Sequence, residues 1–350
     1  MKQDDIQPPR VTSGPGYPEA FAVQLETELS ALRELIARQS SDGHLFDKRI
    51  AVDTPGLGEG HVKCSVCLPN APGSTPEFPA PLPLIILLEG GGFALGQPSD
   101  GEANARFVSD KLDAVVVSLD YAKAPRYPFP HALLQAYDVL KWSISPAAVQ
   151  TLGVAADPSR VTVVGCSAGG NLATSLSLLV AFTAGPTAPF RAALGPQFRQ
   201  VAQVLVYPCL ALHERYGERF ARASPEAQAK SIPVVMLEKM EAAYVPPYVD
   251  GRQIFVAPMR ADLELLRELR PTLAPMLTFV AGLDALDKEA VEYVEQFRGA
   301  GIEAAVKIYP EAAHAYTHGK EGDARWREED ARVTWERVCD FVSRKMCHGP

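Results

Sequence analysis

The sequence predicts an α/β fold built on a mostly parallel, doubly wound sheet. Short β-branched runs alternate with longer helical patterns, and several runs are apolar at nearly every position. Strands take that character when helices cover both faces of their sheet. One such run also leads straight into a glycine-bearing turn and then a helix-forming stretch.

Taken in order, Tyr17–Ser40 has helical spacing (Phe21, Leu25, Leu29, Leu32, Leu35, Ile36) and precedes the first strand. Thr54–Leu68 reads as an antiparallel start to the sheet, and Ala71–Pro83 as a Pro-rich loop. Further strands are expected at Leu84–Leu88, Ala114–Leu119, Val161–Val164, Ala202–Val206, Met276–Val280 and Ala304–Ile308. Helices are expected at Glu102–Lys111, His131–Ile144, Ala168–Phe182, Lys288–Gly299 and Arg325–Lys345. Cys209–Leu269 breaks the alternation with mixed helix and Pro-rich loop, including Pro246-Pro247. Residues 1–350 are thus expected to form a single domain, with cap elements about 1–45 and 209–269 lining the substrate entrance. There is no internal repeat.

Composition narrows the function classes. The chain has 350 residues, 47% apolar and 22% charged, with a net charge of −8. That balance predicts a soluble acidic protein and argues against nucleic-acid or anionic-membrane partners. No stretch approaches the roughly 18 consecutive apolar residues of a membrane span. Met1–Arg10 is polar, unlike a secretory signal. The six cysteines are scattered and Asn-x-Ser/Thr is absent, so a reducing, cytoplasmic setting is expected. Cys64 and Cys67 have metal-ligand spacing but lie in an apolar strand, where residues three apart face opposite ways. A structural role is expected for both, and no metal.

Residues 161–171 read Val-Thr-Val-Val-Gly-Cys-Ser-Ala-Gly-Gly-Asn. An apolar strand, a small-residue turn and a helix are what a nucleophile elbow needs, because small neighbours permit the strained turn that lifts a Ser hydroxyl clear of the backbone. Ser167 is the candidate nucleophile, and the N–H of Ala168 at the helix start points towards a developing oxyanion. Residues 84–93 read Leu-Ile-Ile-Leu-Leu-Glu-Gly-Gly-Gly-Phe. Gly91 and Gly92 are candidate oxyanion-hole donors beside Ala168, since glycine lets backbone N–H groups approach a ligand. A phosphate loop is not indicated, for G-x-G-x-x-G and a P-loop lysine are both missing.

With both segments in hand, the chain resembles the hormone-sensitive-lipase-like branch of the α/β-hydrolases, a family of carboxylesterases and lipases. That branch carries His-Gly-Gly-Gly, then Asp-Tyr-Arg-Leu-Ala-Pro-Glu-x-Pro-Phe-Pro, then Gly-Asp-Ser-Ala-Gly-Gly-Asn. The middle motif stands here as Asp120-Tyr121-Ala122-Lys123-Ala124-Pro125-Arg126-Tyr127-Pro128-Phe129-Pro130. The likeness runs in order from about residue 60 to the end. It implies an α/β-hydrolase fold, with Asp284 in Gly282-Leu283-Asp284 as triad acid and His314 in Tyr309-Pro310-Glu311-Ala312-Ala313-His314 as general base. The order Ser, Asp, His is the one this fold uses. Asp287 and His318 are the rivals for those two roles. His131, His44, His61, His213 and His348 are expected to be structural.

Three departures from the branch all change charge: Glu89 replaces His, Cys166 replaces Asp, and Arg126 replaces Glu. A carboxylate about 6 Å from an oxyanion would cost on the order of 3 kcal/mol at an effective dielectric of 20. Glu89 is therefore neutralised, with Arg126 and Lys123 nearest in sequence, or turned away, or given work of its own. The leading functional expectation is hydrolysis of a carboxylic ester or lactone of a small to medium, largely apolar molecule through an acyl-Ser167 intermediate, without a cofactor. A second expectation uses the same groups for proton transfer in an elimination, condensation or cyclisation of a natural product. A third, non-catalytic binding, is disfavoured by the complete set of reactive residues. The expected partner is a small-molecule substrate, and a homodimer is left open.

Overall fold

A computed structural model describes residues 1–12, 19–39, 44–69, 80–319, 322–323 and 325–347. The chain alternates as the sequence predicts. Helix α1 (Glu19–Gln39) leads to strands β1 (Lys48–Asp53), β2 (His61–Cys67) and β3 (Leu82–Leu88), then α2 (Glu102–Leu112) and β4 (Val115–Asp120). Helices α3 (His131–Ser143) and α4 (Pro146–Leu152) precede β5 (Ala156–Cys166), α5 (Ala168–Leu179), the short α6 (Ala188–Ala192) and β6 (Gln200–Val206). The insertion holds α7 (Tyr216–Ala221), α8 (Pro225–Lys230), α9 (Val234–Tyr244) and α10 (Leu263–Leu269). Strand β7 (Met276–Leu283), α11 (Asp287–Gly299), β8 (Ala304–Ala313) and α12 (Glu328–Cys347) complete the fold.

The eight strands form one sheet in the order β1-β2-β4-β3-β5-β6-β7-β8. β1–β2 and β2–β4 are antiparallel, and the remaining pairs are parallel. Period-two alternation splits the interior into two cores. Leu84, Ile86 and Leu88 of β3 pack with Val161 and Val163 of β5 on one face, while Ile85 and Leu87 join Val164 and Cys166 on the other. Cys64 and Cys67 fall on opposite faces and both are buried. Their strand therefore directs them apart, away from any shared ligand. Among the described residues no helix is long and apolar enough to cross a membrane.

The chain leaves β3 in one direction to reach β4 and returns on the other side to β5, so the strand order reverses between neighbouring parallel strands. Loops diverge at such a point and open a crevice at the carboxyl edge of the sheet. β3 and β5 are paired through Leu88↔Gly165, which sets the glycine loop directly against the elbow.

That junction is tight. A Cβ on Gly169 would lie 2.0 Å from the Leu88 carbonyl oxygen and 2.6 Å from that of Glu89. Both obstacles are backbone, so relief would require moving a central strand. Gly169→Ala should therefore destabilise the protein by about 3 kcal/mol or more, the upper range for overpacking a core. Urea unfolding measures it, and an unchanged midpoint would contradict this crossing.

Candidate active site

Ser167 sits at φ 53, ψ −118, directly between β5 and α5. This is costly backbone for a residue with a Cβ, by roughly 1–3 kcal/mol, and the surroundings enforce it. The Ser167 N–H donates to Val206 O at 2.9 Å, and its carbonyl accepts from Asn171 and Cys209, each at 3.2 Å. The Asn171 side-chain amide donates to Cys209 O and Val256 O, both 2.9 Å away, tying the inserted segment to the elbow.

His314 and Asp284 arrive from adjoining strands. Leu283 of β7 pairs with Ala313 of β8, so the next residue on each strand projects from the same edge. His314 Nδ1 lies 2.6 Å from Asp284 Oδ2, and its Nε2 lies 2.8 Å from Ser167 Oγ. All three side chains are buried. Ser167 itself is only 8% exposed, which differs from the open elbow the turn alone suggests. Of the rivals, Asp287 begins α11 and gives its N–H to Asp284 O, while His314 bonds Asp284. His131 accepts from the Gly58 N–H at 3.1 Å. His44 and His213 approach Glu102 and Glu214, His61 borders a separate cleft, and His348 lies outside the described residues.

Gly91 (φ 106) and Gly92 (φ 59) both take left-handed backbone. A Cβ on Gly91 would stand 2.4 Å from Gly96 N, and one on Gly92 the same distance from Met240 Sδ. Among the described residues, neither N–H has a backbone acceptor. The Ala168 N–H, at the first position of α5, has none within its helix. The Ala168 N–H adjoins Ser167 directly, and Gly90, whose Cβ would lie 3.2 Å from that of Ser167, carries the glycine loop against the elbow.

Arg126 and Lys123, the candidate partners of Glu89 nearest in sequence, both pair elsewhere. Arg126 is 61% exposed and pairs with Glu59 at 3.0 Å, while Lys123 pairs with Asp120 at 3.0 Å. Both border a cleft of about 210 Å3 at the end of β4, shared with Arg33 and Glu26. The partner of Glu89 is His318, whose Nε2 lies 2.8 Å from Glu89 Oε2. Its Nδ1 lies 2.7 Å from the Tyr207 hydroxyl, which also bonds Thr317. The positive φ of Ala315 turns the chain so that both His314 and His318 face inward. His318 is thus neither a second base nor a solvated loop residue. Glu89, Cys166 and His318 bring ligand atoms within 4.8 Å of one another. Glu89 and His318 are spent on each other, and burial pushes the Cys166 thiol well up, so the trio fits a hydrogen-bonded cluster better than a cation's ligand set. Part of the setting for this pairing was legible: an acid replaces the branch's histidine at Glu89, and His318 stands four residues beyond the base.

The cap is held by groups that carry no motif. Arg33 of α1 donates to Ala94 O and Ala124 O at 2.5 and 2.8 Å, and Lys239 of α9 pairs with Glu28 of α1 at 2.8 Å. Phe93 stacks on Tyr244 with centroids 3.7 Å apart, and Met240 covers the glycine loop. Residues 1–9 do not share this position. The Met1 amine pairs with Asp262 at 2.6 Å, and Gln3 Oε1 accepts from Thr183 and Ala184 N–H. Thr183 follows the far end of α5, about 18 Å along the helix from Ser167. These residues therefore close the opposite end of the domain and do not line the entrance. Tyr17, Pro18 and Ser40 of the expected first helix, and residues 71–79 of the Pro-rich loop, lie outside the described residues.

Arg219 of α7 bridges Glu241 of α9 and Glu289 of α11 in a buried cluster. Glu289 also accepts the Leu210 N–H at 2.6 Å. One guanidinium faces two carboxylates. Burial pushes the Glu241 carboxyl up to about 7, Arg219 pulls it down, and Glu289 adds to the rise. A raised carboxyl favours the protonated folded form, so its contribution is complete below the ordinary value near 4.5 and is lost as pH rises through about 7.

A model of the alpha/beta hydrolase fold matches residues 85–318. The chain is 30% identical over 265 residues to Carboxylic ester hydrolase LipN of Mycobacterium tuberculosis, covering 71% of this chain and 63% of that protein. It is 28% identical over 247 residues to AB hydrolase superfamily protein C1039.03 of Schizosaccharomyces pombe, covering 69% of this chain and 65% of that protein. The chain thus spans just under two thirds of the length of both relatives. The crystal structure of the carboxylesterase EstE1, cloned from a metagenomic library, superposes with a TM-score of 0.67 at 24% identity, covering 95% of this chain and 99% of that one.

Arg219→Met should cost about 3–5 kcal/mol in urea unfolding, because it strands two buried carboxylates. Amide protection factors across 234–244, with the intrinsic base-catalysed rise in exchange divided out, should fall as pH rises from about 4.5 to about 7, and Glu241→Gln should flatten that dependence. Protection factors in the wild type that stay constant over this window would refute a pH-dependent role for the Arg219 cluster.

Proposed function

The chain belongs to the alpha/beta hydrolase fold family, and we propose that it hydrolyses a carboxylic ester or lactone through an acyl-Ser167 intermediate. One observation carries the reading: Ser167 Oγ, His314 and Asp284 form an unbroken hydrogen-bonded chain at 2.8 and 2.6 Å. As Oγ attacks the carbonyl carbon, His314 Nε2 takes its proton. Asp284 holds Nδ1–H, fixes the tautomer and stabilises the imidazolium. The carbonyl oxygen becomes an oxyanion that the N–H groups of Gly91, Gly92 and Ala168 receive, each donor being worth about 3–4 kcal/mol in comparable sites. His314 then returns the proton to the leaving alkoxide, and a water activated the same way releases the acid.

Met240, Phe93 and Tyr244 over the glycine loop support a largely apolar acyl or alcohol group of small to medium size. The names of the carboxylic ester hydrolase and carboxylesterase relatives support ester cleavage. A proton-transfer reaction on a natural product is not favoured, because the Glu89 carboxylate, its distinctive candidate group, is bonded to His318. All six cysteines are free and five are buried, which supports a reducing, cytoplasmic setting.

Ser167→Ala should abolish p-nitrophenyl acetate turnover, a loss of about 10⁴-fold or more, and fluorophosphonate labelling with it. Thermal unfolding should hardly move. Wild-type turnover by the purified variant would overturn the assignment.

A further inference from the structure

We propose that Glu89 and His318 form a second acid–histidine pair that positions the base loop against the glycine loop, with the imidazolium of His318 cancelling the Glu89 charge beside the oxyanion. This inference rests on the esterase reading above and adds a positioning pair to it.

The geometry is a near copy of the triad's own half. Asp284 holds His314 at 2.6 Å, and Glu89 holds His318 at 2.8 Å. The two histidines lie four residues apart on the loop after β8, and Tyr207 sits against both rings, with centroid separations of 5.0 and 6.4 Å. Glu89 follows β3 directly before the glycines, and a Cβ on Gly90 would lie 3.2 Å from that of Ser167. The pair therefore links the strand that supplies two oxyanion donors to the loop that supplies the base. Gly101 leaves room for it, since a Cβ there would meet Glu89 Oε1 at 1.9 Å.

The pair is buried, with Glu89 at 2% and the His318 side chain at 15% exposure. The groups facing it come from every neighbouring element. They are Cys166 at the end of β5, Tyr207 after β6, Thr317 beside His318, Tyr121 after β4 (hydroxyl 2.9 Å from Glu89 O), and Asp100 before α2. Among these, His318 is the group able to carry positive charge. Burial lowers its affinity for a proton, but Glu89 and Asp100 raise it further, and the net direction is up. Stability from the pair is thus complete below the ordinary histidine value of 6.5 and is lost as pH rises through the raised one. Once His318 is neutral, the Glu89 charge opposes the oxyanion without compensation.

The test uses the full-length chain, with p-nitrophenyl acetate as probe and His318→Gln, Glu89→Gln and the double variant compared. His318→Gln leaves a bare carboxylate near the oxyanion, so kcat should fall about 100-fold with KM nearly steady. The alkaline limb of the wild-type kcat profile should vanish with it. Glu89→Gln removes the charge and keeps a hydrogen-bonding side chain, so kcat should fall by less than about tenfold. Adding Glu89→Gln to His318→Gln should restore most of the lost kcat, a rescue that a purely structural role would not give. Unchanged kcat in His318→Gln, or a double variant as poor as His318→Gln alone, overturns the proposal. If the wild type neither labels with fluorophosphonate nor turns over ester, the esterase reading has failed separately. The pair is then judged by Tm alone: wild type should exceed Glu89→Gln most below about pH 6.5, and the gap should close at higher pH. A gap that is constant or grows with pH overturns it.

Discussion

Everything at this site depends on the parallel pairing of β3 with β5. Their register places the end of one strand level with the end of the other through Leu88↔Gly165. The glycine loop and the elbow then emerge side by side at a reversal of strand order, where the sheet can open a crevice. Gly169 makes the closeness attainable, because its missing Cβ is where the Leu88 and Glu89 carbonyls pass. Donors for an oxyanion and a nucleophile are thus brought together by backbone hydrogen bonds, the least adjustable part of the fold. The side chains inherit that precision.

Rigid strands alone would leave Ser167 open to water. The cap closes the site by packing Met240 and Tyr244 over the glycine loop, and buried polar groups fix its position. Arg33 reaches backbone carbonyls of two loops, and Arg219 fastens two cap helices to the one that follows Asp284. Buried ions of this kind contribute little net stability against apolar substitutes but penalise every misplaced arrangement. A cap built this way can be specific in position while depending on protonation.

The sheet was legible in the sequence because its signal is local. Runs such as Leu84–Leu88 are apolar throughout, and the helix after Ser167 follows directly from its strand. Strand ends also placed Ser167, Asp284 and His314 on loops at one edge, since parallel strands share a carboxyl edge. The partner of Glu89 was not legible in the same way. Arg126 is nearer to it in sequence, yet β4 directs Arg126 to the cleft beside Glu59, while β8 lies across the sheet and delivers His318. Sequence distance says nothing about that crossing. The Arg219 cluster and the packing of Met1–Gln3 escaped for the same reason, each joining segments brought together only by the insertion or by α10.

Cys166 shows why the charge changes around Ser167 form a set. The resemblance places an acid there, but this cysteine is buried on the face of the sheet that carries Tyr207, a few ångströms from the Glu89–His318 pair. A second carboxylate at Cys166 would add another negative charge to a pocket with one histidine to answer it, at several kcal/mol for an unpaired buried ion. The thiol is neutral, small and held protonated by burial, so it fills the space without adding charge. An acid moved to the glycine loop, a neutral residue before the nucleophile and a histidine beyond the base are together consistent with one buried pair of opposite charges.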